Sequence, residues 1–134
     1  MKRGNINISM THTNKVNISV SLSDDGNVWM RNDEIAAIFD VTSASVNRQI
    51  NKIFASGELD RQEVSRQEIR RFGNRRCYVD YYNLEMIAAV SLRLDSLPCI
   101  FFRRWIYGRI IKSLQQSTMI PIILRTAYED LEMN

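Results

Sequence analysis

Ala44, Ser45, Arg48, Asn51, Lys52 and Ala55 recur at a spacing that gathers them on one face of a helix. At about 100° per residue they lie opposite Val46, Ile50, Ile53 and Phe54, so a small, cationic, amide-bearing surface without an acidic group backs an apolar stripe. The chemistry of such a surface suits a DNA major groove. Arg and Lys donate to the guanine acceptors, Asn pairs with adenine, and Ala or Ser lets the helix approach closely. Ser45, Arg48, Asn51 and Lys52 are therefore the candidate base-reading residues. A second set, Arg70, Arg71, Arg75 and Arg76, flanks Gly73-Asn74, and guanidinium groups around a turn are suited to phosphates or a minor groove.

These residues need elements to hold them, and the stretch from Val28 to Leu59 predicts two short amphipathic helices with a tight connection. Ile35, Ala36 and Phe39 set the first, with Asn32 or Asp33 as its N-cap. The break falls at Asp40-Val41, where a Gly would be more usual. Thr42 or Ser43 caps the second helix, and Gly57 suits a left-handed C-terminal position. Two helices so joined are the helix-turn-helix arrangement, in which the second helix is inserted and the first crosses the backbone. The bland alternative is an ordinary helix pair with a solvated face.

Upstream, Val16, Ile18, Val20 and Leu22 alternate with polar residues as a strand does, and Asp24-Asp25-Gly26 signals a turn. Asn27–Met30 is expected to return as the second strand of that hairpin. Residues 1–14, rich in Asn, Ser and Thr, are expected to be disordered. Downstream, Ile69, Phe72, Tyr78, Val79, Tyr81 and Tyr82 are strand formers around Gly73-Asn74, which predicts a hairpin with the four arginines at its tip. A hairpin in that position is the wing of a winged helix; the alternative is an edge hairpin kept soluble by charge. Asn83 caps a helix over 84–94, Asp95-Ser96 and Pro98 break it, and a wider apolar helix follows over 99–116. Its cations, Arg103, Arg104, Arg109 and Lys112, either extend a phosphate-binding surface or cover apolar area with their stems. The expected fold is thus α+β: a winged helix-turn-helix domain over 15–116, with a C-terminal amphipathic helix over 117–134 that docks on its own domain or pairs two copies into a homodimer.

The segments VWMRNDEIAAIFDVTSASVNRQINKIFASGELD, YYNLEMIAAVSLRLDS and FRRW resemble the virulence-associated RhuM family of bacterial proteins over about residues 16–110. The resemblance implies a winged-helix-like DNA-binding domain, usually at the front of a longer protein. Arg31, Asp40 and Ser91-Leu92 depart from the family pattern. The expected role is transcriptional regulation in a bacterium or a mobile element; the alternative is an adaptor or neutralising partner in a toxin or phage-defence system. RNA binding through the arginine-rich hairpin is a third reading.

With 134 residues and 45% hydrophobic content the chain can bury one moderate core. The formal net charge of +3 is modest but uneven, because Arg61–Arg76 holds six Arg against Glu63 and Glu68, while Glu129, Asp130 and Glu132 end the chain. Cys77 and Cys99 read as free thiols and the chain as cytoplasmic, with no membrane span or apolar leader. No cofactor loop, metal spacing or nucleophile elbow occurs, and the lone His12 has no ligand neighbours. Asp33, Glu34 and Asp80 are carboxylates without a nuclease motif, so no enzyme is expected.

Overall fold

The computed structural model describes residues 2–117. Among these the fold is α+β, with two antiparallel hairpins and five helices. The chain forms two compact units divided after Arg103. The C-terminal helix expected over 117–134 lies outside the described residues, apart from Ser117.

The first hairpin differs from expectation. β1 (Asn5–Met10) pairs with β2 (Val16–Ser21), placing Ile6 against Val20, Ile8 against Ile18 and Met10 against Val16. The stretch expected to be disordered therefore holds a strand, because Ile6, Ile8 and Met10 alternate through its polar composition and complete the apolar face of β2. His12 is exposed in the connection. The turn at Ser23–Gly26 does form, with Ser23 N–H donating to the Asn27 carbonyl at 2.7 Å. The chain beyond it does not return along β2. Trp29 N–H donates to the Arg3 carbonyl at 2.7 Å, and Met30 exchanges backbone bonds of 2.9 and 2.8 Å with Tyr82. Gly4, at φ +67°, makes this approach feasible, since a Cβ there would lie 2.5 Å from the Ser21 carbonyl oxygen.

Two helices follow. In α1 (Asn32–Phe39) the N-cap is Arg31 rather than Asn32 or Asp33, and the Glu34 carboxylate accepts from the Arg31 backbone N–H at 3.0 Å. The helix ends at Asp40, which is left-handed at φ 53°, ψ 50°, and Val41 N–H then donates to the Ala36 carbonyl at 3.0 Å. In α2 (Ser43–Ser56) the Thr42 hydroxyl accepts from Ser45 N–H at 3.1 Å, and Gly57 closes the helix at φ 76°. Ile35, Ala36 and Phe39 of α1 meet the buried Val46, Ile50 and Ile53 of α2 in one core. Each large aliphatic side chain so buried contributes about 1.5–3 kcal/mol against chain entropy.

A single turn, α3 (Arg61–Val64), leads into β3 (Ser65–Phe72), which pairs with β4 (Arg75–Tyr82) across the two-residue connection Gly73-Asn74. α4 (Leu84–Ser91) is capped by Asn83, whose side chain accepts from Met86 N–H at 3.2 Å, and it ends three residues earlier than the apolar pattern suggests. Met86, Ile87 and Val90 are fully buried. α5 (Leu97–Gln116) begins at Leu97, because Pro98 fits a first helical turn and Ser96 accepts from Cys99 N–H. Its first turns belong to the first unit. Phe102 meets Phe39 at 5.5 Å between ring centroids, and Ser96 donates to the Phe39 carbonyl at 2.6 Å. Cys77 and Cys99 are both free thiols; burial pushes the Cys99 thiol pKa up. No helix among the described residues is long and apolar enough to cross a membrane.

Candidate nucleic-acid interface

α2 divides its residues cleanly. Val46, Ile50 and Ile53 are at most 1% exposed, while Ala44, Arg48, Asn51, Lys52 and Ala55 are exposed and Ser45 is half-buried at the edge. The 3.6-residue period produces this split: three apolar side chains lock the helix onto α1, and whatever lies opposite must face water. Arg48, Asn51 and Lys52 make no side-chain hydrogen bond or ion pair among the described residues, so their donors are unspent.

The β3–β4 ribbon sorts its arginines by strand alternation. Arg71 stands directly opposite Arg76, while Arg70 opposes Cys77 and Phe72 opposes Arg75. Side chains alternate along each strand, so Arg71 and Arg76 share one ribbon face with Ile69, Tyr78, Asp80 and Tyr82. Arg70 and Arg75 share the other with Glu68, Val79 and Tyr81. The four candidate phosphate residues are therefore not one cluster. Arg70 is engaged, donating to the Tyr81 hydroxyl at 2.9 Å. Arg66 lies on the same face, 4.2 Å from the Trp29 ring and 3.7 Å from the Asp25 carboxylate, and Arg3 lies 5.2 Å from the Tyr81 ring. Arg61 stacks 4.2 Å from Phe54. Three of the six arginines between residues 61 and 76 thus hold the fold together, and Arg71, Arg75 and Arg76 remain exposed without a partner among the described residues.

The Arg71–Arg76 face is the one turned to α2. Tyr82, buried at the base of the ribbon, meets Phe54 of α2 at 6.5 Å between rings. Burial and the Asp80 carboxylate push the Tyr82 phenol pKa up, which keeps it neutral. A polar cleft of about 270 Å³ lies between α1, α2 and β4, lined by Arg31, Asn32, Asp33, Asn47, Tyr78 and Asp80 together with Val79 and Tyr82. Asp33 accepts two bonds from Arg31, at 3.0 and 3.2 Å, which lower its carboxyl pKa, and the Asn32 side-chain oxygen is buried with no donor among the described residues. Glu34 is occupied by Arg3 and Arg31. Among the described residues no three His, Cys, Asp or Glu come together as a metal site.

Asn47 and Tyr78 are surface residues that a reading confined to the centre of the α2 face misses. Asn47 falls on the flank of that face, and a wider helical arc would have included it. Of the cations proposed along α5, Arg103 is engaged, donating to the Leu94 carbonyl at 3.0 Å with Asp95 3.7 Å away. In the second unit, Arg109 lies 5.1 Å from the Trp105 ring. No protein-family model, curated protein or solved structure matches the chain.

Proposed function

We propose that the chain binds double-stranded DNA as a winged helix, with α2 as the recognition helix and the β3–β4 ribbon as the wing. The observation that carries this reading is the Arg71–Arg76 pair. Like charges placed directly opposite in a hairpin cost stability, and no acidic side chain among the described residues compensates them, so an anionic partner is what their placement fits. The ribbon face bearing them is also the face that meets α2, where Arg48 and Lys52 likewise have no partner among the described residues. The isolated Met30–Tyr82 bridge at the base of the ribbon and the tight left-handed turn at Asp40 both fit a winged helix. Ser45, Arg48, Asn51 and Lys52 would face base edges, and Arg71 and Arg76 would hold phosphates. The role that fits such a surface is a transcriptional regulator of a bacterium or mobile element.

Fluorescence anisotropy with a labelled random DNA duplex, titrated at several salt concentrations and repeated with an RNA duplex, tests this. Four cations on this side without a partner among the described residues, Arg48, Lys52, Arg71 and Arg76, set an expected slope of log affinity against log salt of roughly −3 to −3.6. Undetectable binding to DNA at about 50 mM salt would overturn the reading in favour of a protein-interaction adaptor, and tighter binding to the RNA duplex would reassign the ligand.

A further inference from the structure

The ribbon face turned to α2 carries more than charge. Between the buried Tyr82 at its base and the Arg71–Arg76 rung near its tip stand two further rungs, Gln67–Asp80 and Ile69–Tyr78. Gln67 donates to the Asp80 carboxylate at 3.2 Å, which closes the inner of the two. Ile69 and Tyr78 stand directly opposite each other and are 55 and 65% exposed. A β-branched and an aromatic residue so paired stabilise a hairpin by themselves. That accounts for the residue types, but not for a pair of large apolar side chains left in water about 6.5–7 Å from two arginines that have no acidic partner among the described residues.

An apolar rung next to a cationic one fits a partner whose anionic groups border a stacked, less polar interior. A duplex groove has this order, with phosphates along its rims and bases at its floor. Tyr78 also lines the cleft shared with Asn47 of α2, so the apolar rung borders the surface that presents Arg48, Asn51 and Lys52. We infer that Ile69 and Tyr78 act as an apolar wedge on DNA. Arg71 and Arg76 hold the phosphates, the Ile69–Tyr78 rung presses into the minor groove and unstacks a base step, and the duplex bends by about 20–90°. This inference rests on the DNA-binding reading and adds deformation of the duplex to it, with a preference for sites that unstack easily. An anionic lipid surface also takes apolar and cationic groups together, but it gives no role to Ser45 and Asn51 on the neighbouring helix face.

The test uses the full chain and its variant I69T/Y78T. Threonine is a strand former and Thr pairs support hairpins, so the substitution removes the apolar surface and keeps the ribbon, as circular dichroism will show. Two duplexes of about 20 base pairs, one fully paired and one with a central mismatch, are labelled at both ends for energy transfer. The wild type is expected to shorten the end-to-end distance of the paired duplex. It should also bind the mismatched duplex roughly threefold or more tighter, because a mismatch has already lost part of its stacking. I69T/Y78T is expected to leave the bound duplex straight, to bind both duplexes equally and to keep the wild-type salt slope, since all four cations remain. A duplex that stays straight when bound by the wild type would overturn the wedge and leave DNA binding in place, whatever the variant does; binding of neither duplex would overturn both readings. Bending that persists in I69T/Y78T would assign the deformation to other residues and overturn the wedge. Binding to phosphatidylserine vesicles that I69T/Y78T loses, with DNA binding and bending unaltered, would assign the rung to a membrane surface instead.

Discussion

Arg48 and Asn51 lie near the middle of the outward face of α2, and neither spends its donors on another of the described residues. If they read bases, R48A/N51A should lower affinity for a selected duplex by about 1–3 kcal/mol per lost bidentate contact while leaving random-duplex affinity much closer to wild type. Equal losses on both duplexes would assign them to the phosphate backbone instead. The ribbon arginines should behave in the opposite way. R71A/R76A should weaken all sequences alike and flatten the salt slope by about two, whereas R70A is expected to act through the lost Tyr81 contact. Asp25 offers a separate test of how the ribbon is seated. Its carboxylate accepts from the Ser23 hydroxyl and from Trp29 Nε1, and Arg66 lies nearby, so its pKa sits below the ordinary value of 3.8. A carboxyl with a lower pKa folded than unfolded stabilises the fold above its unfolded pKa, and that contribution disappears as pH falls through the folded value. D25N should therefore be less stable than wild type at pH 7, with the gap narrowing below about pH 4 in urea unfolding followed by tryptophan fluorescence. A gap independent of pH would show that the carboxylate charge is not what Trp29 and Arg66 respond to.

The α1–α2 connection turns on Asp40, a non-glycine residue held in the left-handed region at φ 53°. That conformation costs an ordinary L-residue about 1–2 kcal/mol and aspartate somewhat less, while glycine adopts it freely but loses more entropy on folding. The two effects nearly offset, so D40G should shift stability by less than about 1 kcal/mol, whereas the β-branched D40V should cost about 1–2 kcal/mol or more. Urea midpoints of the three proteins decide it, and a tolerated Val would mean that the turn relaxes into another conformation. The position of this turn was legible in the sequence because the apolar period of α1 stops at Phe39 and that of α2 starts afresh after Thr42. Thr42, Gly57, the Gly73-Asn74 tip and Asn83 were legible for the same reason: each performs a local job that its own side chain or backbone dictates. The partner of β2 was not. A turn at Asp24-Asp25-Gly26 says that the chain bends but not which strand it bends toward, and the choice was made by Arg3 and Tyr82, which take the backbone bonds of Trp29 and Met30. The sorting of the four tip arginines between two ribbon faces also escaped, although the register that a two-residue turn enforces contains it.

The first unit closes on itself through residues far apart in sequence, and α5 is the last element to join. Phe102 has no exposed surface, its ring lies against Phe39 of α1, and Ser96 ties the start of the helix to the Phe39 carbonyl. Cys99 is buried beside it, so these turns of α5 are part of the core that also holds α1 and α2 together. Truncating a buried phenylalanine to alanine costs about 3–5 kcal/mol, because the lost transfer energy is joined by the cavity left behind. For a domain of this size each kcal/mol corresponds to about 4–8 °C, so F102A should lower the melting temperature by at least 12 °C or so. The fall should be seen together in far-ultraviolet circular dichroism and in tryptophan fluorescence measured in a W105F background, where Trp29 alone reports on the ribbon and the dichroism on the helices. Separate transitions would mean that the ribbon is stable without the helical core. If the transitions coincide, α2 and the arginine ribbon share a single folding equilibrium. The DNA affinity of F102A should then follow its folded fraction, while R71A/R76A should lose affinity without any loss of folded protein.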